Sequence, residues 1–107
     1  MKDILAVSLN KSYRENISKE DLERITRGNW RIAKNNIEHI KYIVGVKNKN
    51  IKSIYKINNY CKHEKRYRFE VGEVDNSIYK GINEKFNNKD ELRMYGAIRY
   101  LNSEDLK

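Results

Sequence analysis

Proline is absent from the chain, cysteine and tryptophan occur once each, and there are only two histidines in 107 residues. One cysteine, Cys61, excludes an internal disulfide framework, and two histidines leave a Cys/His zinc site short of ligands. No metal and no cofactor is therefore expected. No apolar run approaches the roughly 18 residues of a membrane-spanning helix, so no membrane partner is expected either. The longest early run, Ile4 to Leu9 broken by Ser8, is too short for the apolar segment of a signal peptide and reads as a strand. The expectation is a cytoplasmic protein with one core, forming a single domain over residues 1–107.

Charge of one sign dominates what is present. Twenty-three Lys and Arg stand against fifteen Asp and Glu, a net charge of +8. Such an excess favours a polyanionic partner, because neutralising phosphates releases counterions. A chain rich in Lys, Asn and Ile and free of proline also fits an AT-rich coding sequence, so the arginines are the more informative cations.

Periodicity divides the rest. Residues 3–9 read as a strand buried on both faces, followed by the polar loop Asn10 to Asn16. Ser18 is placed to cap a helix with Asp21 at its third position; Leu22 and Ile25 form its buried side, and Gly28 ends it. A second short helix is expected around Ala33–His39. Tyr42, Val44 and Val46 alternate with Lys41, Ile43 and Gly45, and Ile51, Ser53, Tyr55 and Ile57 with Lys52, Ile54 and Lys56, so a hairpin turning at 47–50 is predicted. Residues 58–65 read as a polar connection, and Tyr67, Phe69 and Val71 mark another strand. Ile78, Tyr79, Ile82 and Phe86 suit a helix that Gly81 opposes. Ile98–Leu101 is the last strand. The fold class is α+β: a small curved mixed or antiparallel sheet of about five strands, inclined to curl into a barrel, with one or two short helices packed on it.

One stretch fits neither helix nor strand, Thr26-Arg27-Gly28-Asn29-Trp30-Arg31. It gathers the single tryptophan and two of the eight arginines, residues whose planar groups stack and chelate anions. Two readings stand: Trp30 plugs the core beneath a helix end, or it presents a face to a ligand.

The order of these pieces, with Ser12-Tyr13 after the first strand, the Thr-Arg-Gly-x-Trp-Arg segment, the hairpin of Tyr42 to Ile57, Arg66 to Gly72, Tyr79-Lys80-Gly81 and Ile98 to Asn102, resembles the small PUA-like domains related to the ASCH and EVE groups. The resemblance spans nearly the whole chain, but only Thr26 to Arg31 is distinctive. It implies an open, curved β-barrel that binds RNA or DNA and holds a single, sometimes modified, base in a barrel pocket.

A base pocket needs an aromatic face, hydrogen-bonding groups for the base edge and cations for phosphate. Trp30, Tyr13 and Tyr42 are the candidate faces; Ser12, Asn29 and Asn102 suit the base edge; Arg27, Arg31 and Lys11 suit phosphate. Tyr55, Tyr67 and Tyr100 belong to apolar alternations and are assigned to the core. Catalysis is not expected, but three alternatives remain. His63 and Glu64 with Arg66 and Arg68 suit a small metal-free ribonuclease. Lys19, Thr26 and Glu70 match by type the residues of ASCH-like amidohydrolases. A small phage or mobile-element inhibitor, active in phage–host conflict, would instead bind a protein partner from a nuclease or defence system.

Overall fold

The computed structural model describes residues 2–103. In order, the elements are β1 (Ile4–Ser8), α1 (Lys19–Arg27), β2 (Trp30–Arg31), α2 (Lys34–Ile37), β3 (Tyr42–Lys47), β4 (Asn50–His63), β5 (Arg66–Glu73), α3 (Asn76–Phe86), a 3₁₀ turn (Asp90–Leu92) and β6 (Ile98–Leu101). The strands form one six-stranded sheet in the order β2-β5-β4-β3-β1-β6, curled into a nearly closed barrel. The fold is α+β with a mixed sheet: β1 lies parallel to β3, and every other pairing is antiparallel.

β1 organises both cores because both its faces are covered. Ile4, Leu5, Ala6 and Val7 are fully buried. By strand alternation Leu5 and Val7 join Leu9, Ile43, Tyr55, Tyr67 and Phe69 on the face covered by α1. Ile4 and Ala6 join Val44, Val46, Ile54, Ile82, Phe86 and Leu101 on the face covered by α3. Tyr55 and Tyr67 are buried as expected, and Tyr100 packs against the first core.

Helix α1 begins as its sequence dictates. The Ser18 hydroxyl accepts a hydrogen bond from the Asp21 amide at 3.1 Å, and Arg24 pairs with Asp21 at 2.8 Å. It ends at Gly28, but not in the left-handed turn a terminal glycine usually supplies: Gly28 is extended, at φ −70° and ψ 174°, and the chain runs straight into β2. Left-handed backbone is found instead at Asn16, Asn48, Lys49, Glu64 and Asn88. Asn48 and Lys49, both at positive φ, close the β3–β4 hairpin where its turn was expected.

Three elements differ from the sequence reading. Residues 58–63 are not a connection but the second half of β4, paired with β5 from Asn59 to His63. A register shift between Ile57 and Asn59 breaks the alternation there, which hides the strand. α3 forms in full despite Gly81, because Ile78, Ile82 and Phe86 lie on one helical face against the sheet. The Trp30-Arg31 pair, assigned to neither helix nor strand, is the edge strand β2, and the short helices number three.

Candidate nucleic-acid interface

A buried polar contact fixes where α1 ends. Thr26, fully buried, donates its hydroxyl to the Leu22 carbonyl at 2.7 Å or shares it with the Ser53 hydroxyl, also at 2.7 Å. Gly45 lies directly opposite Ser53 on β3 and makes this approach possible. A Cβ there would collide with the Ser53 oxygen, with Leu9 Cδ1 at 2.6 Å and with Thr26 Oγ1 at 3.0 Å. The helix end is therefore seated on the sheet, and the chain leaving it is aimed at the β5 edge.

Trp30 is held by this seat. Its indole Nε1 donates to the Thr26 carbonyl at 2.8 Å, satisfying one of the helix's terminal acceptors. The ring sits on the inner side of β2 opposite Tyr67, and remains half-buried. Trp30 packs on the core, and its remaining surface lines a cleft.

That cleft, about 460 Å³, lies where the barrel fails to close, between edge strand β2 and the segment leading into edge strand β6. It is lined by Ser8, at the end of β1, by Asn10, Lys11 and Ser12 of the following loop, by Trp30, and by Met94 to Ala97, whose Ala97 carbonyl accepts from the Ser8 amide at 2.8 Å. Tyr95, 86 % exposed, lines it beside Arg93, whose guanidinium donates to the Tyr95 hydroxyl oxygen and is held further toward the charged form. The volume falls within the range of about 300–1,000 Å³ usual for small-ligand sites.

Of the residues singled out from the sequence, Lys11, Ser12 and Trp30 come together in this cleft. Tyr13 packs against the adjoining core, with the ammonium groups of Lys47 and Lys52 5.2 and 5.1 Å from its ring centre. Arg27 is half-buried in the last turn of α1. Arg31 alternates with Trp30 and is exposed on the opposite side of β2. Asn29 lines a shallow cup there with Cys61, Lys62, His63 and Arg68. Tyr42 and Asn102 do not join the cleft. Tyr42 pairs with Ile4, at the start of β1, and Asn102 follows Leu101, the other partner of Ile4. Ser8 is at the far end of that strand, about 13 Å away. Sequence reasoning missed Tyr95; its only signal was an aromatic beside a glycine, Tyr95-Gly96, in a polar loop.

The residues matched by type to amidohydrolases are dispersed, whereas three of those named for a ribonuclease, His63, Arg66 and Arg68, lie together on the outer face of β4 and β5. Lys19 forms its ion pair with Glu73, at 3.1 Å, not with Glu70. Both members are solvent-exposed, and the bond to Glu73 raises the pKa of Lys19, which keeps it protonated. They border a second cleft of about 350 Å³ with Ser53 and Tyr55, whose phenol burial pushes upward in pKa. Thr26 is fully buried and its hydroxyl is engaged.

No protein-family model, curated protein or solved structure matches the chain. Among the described residues, no helix is long and apolar enough to cross a membrane.

Proposed function

We propose that the chain is a nucleic-acid-binding module of PUA-like type, which takes one unstacked base of RNA or DNA into the seam cleft. The observation that carries this reading is the position of Trp30. The only tryptophan of a protein with net charge +8 lines a cleft of about 460 Å³ together with the exposed Tyr95. Two aromatic side chains lining one cleft offer a base the stacking it loses on leaving its strand. Ser12 and Asn10 supply hydrogen-bonding groups for the base edge, and Lys11 supplies the cation for the adjoining phosphate.

Tyr95 provides the cleanest test, because it is almost fully exposed and its removal leaves the core intact. Tyr95→Ala is expected to weaken oligonucleotide binding by about 1–3 kcal/mol, the usual worth of one base–aromatic stack, with no loss of folding stability. Equal affinity in the two proteins would remove the base from this cleft. Co-purified material, digested and analysed for nucleosides, should contain at least one nucleoside per chain. A stoichiometric protein partner without nucleic acid would point to the inhibitor reading instead.

A further inference from the structure

The outer face of the ribbon formed by β2, β5 and the second half of β4 carries cations that the fold itself leaves unpaired. Register places Arg31 directly opposite Arg66, and Arg66 directly opposite His63, in one cross-strand row. Cys61 and Arg68 form the next row. All five side chains are exposed, and no helix covers this face, since α3 packs on the other half of the sheet. Like charges directly opposite one another in an antiparallel pair repel. Among the described residues no carboxylate pairs with Arg31, Arg66 or Arg68. Arg66 makes one bond, to the Asn29 carbonyl at 3.3 Å, which leaves most of its five N–H donors free. Beside this row lies a cup of about 260 Å³ lined by Asn29, Lys62, His63 and Arg68.

The geometry points to this face as a phosphodiester-binding surface for single-stranded nucleic acid. Arg31, Arg66 and Arg68 take successive backbone phosphates, and Asn29 and His63 supply further polar contacts in the cup. The inference rests on the cleft reading and extends it. β2 is only two residues wide and is the sheet's edge, so a strand whose base enters beside Trp30 reaches Arg31 by passing over that edge. The ligand is then an oligonucleotide engaged on both sides of β2, and a mononucleotide fills only the inner side. Repulsion between Arg31 and Arg66 is relieved when phosphate lies between them, which makes the row complementary to a polyanion and not to a neutral surface.

The test compares the wild type with Arg66→Gln/Arg68→Gln, titrated with nucleoside monophosphates and with mixed-sequence single-stranded RNA and DNA oligonucleotides. Trp30 emission reports the cleft, and oligonucleotide anisotropy at several salt concentrations reports the ribbon. The expected result is unchanged mononucleotide quenching of Trp30, weaker oligonucleotide binding, and a log–log salt slope smaller by about two, one for each arginine removed. Melting temperature should be equal or higher, since repulsion is removed. Identical oligonucleotide affinity and slope in the two proteins would overturn the ribbon while Trp30 quenching left the cleft standing. Arginine-dependent binding without any response of Trp30 would support the ribbon and refute the cleft. Absence of binding in every titration would refute both.

Discussion

Three residues of the Thr26 to Arg31 stretch do three different things. Thr26 turns inward to Ser53, Trp30 faces the seam, and Arg31 faces solvent on the opposite side of the same strand. The sequence showed that this stretch was unusual, but not that strand alternation would separate Trp30 from Arg31. The seat beneath it gives sharp expectations. Thr26→Val leaves the Ser53 hydroxyl buried without its partner and should cost about 1–3 kcal/mol in urea unfolding. Gly45→Ala forces an atom into the Thr26–Ser53–Leu9 contact, and about 1–3 kcal/mol is expected, the range for overpacking a filled core. If Gly45→Ala unfolded at the wild-type midpoint, the helix end would not be seated as described. For Trp30→Phe a smaller aromatic face remains while the bond to the Thr26 carbonyl is lost, so at least about 1 kcal/mol of stability should go with a smaller loss of binding than in Trp30→Ala.

At the scale of elements, the parts with strong internal pattern were legible and those held by their neighbours were not. α1 was marked by its cap and its apolar side, and the β3–β4 hairpin by alternation on both sides of an Asn-bearing turn. The second half of β4 has exposed residues from Asn58 to His63 and a register shift at its start, so nothing in its own composition says strand; pairing with β5 makes it one. Its turn carries Glu64 at φ 58°, a conformation that costs a non-glycine residue roughly 1–2 kcal/mol. Glu64→Gly should therefore raise stability by up to about 1 kcal/mol, measured by thermal melting, and should not weaken oligonucleotide binding. The opposed arginines of β2 and β5 make a related prediction: Arg66→Gln alone should gain a few tenths of a kcal/mol in stability while losing affinity for nucleic acid. A residue present for structure would lose stability when removed.

For the whole molecule, the arrangement of strands decides which residues meet. Parallel pairing of β1 with β3 puts the start of β3 beside the start of β1, so Tyr42 sits at the end opposite the cleft, as does Asn102 after β6. No local pattern carries that order, which is why both were grouped with Trp30 from sequence. The cleft exists because the two edge strands, β2 and β6, do not meet, and part of its lining, with Tyr95, comes from the loop of weakest pattern in the chain. The net charge of +8 predicts that binding weakens steeply with salt, and the position of the single tryptophan predicts where it can be seen. Because Trp30 is alone, its fluorescence reports one place in the molecule. Titration with a single-stranded oligonucleotide should change Trp30 emission saturably, at one site per chain, in step with binding measured on the oligonucleotide. Tight binding that leaves Trp30 emission unchanged would contradict the account.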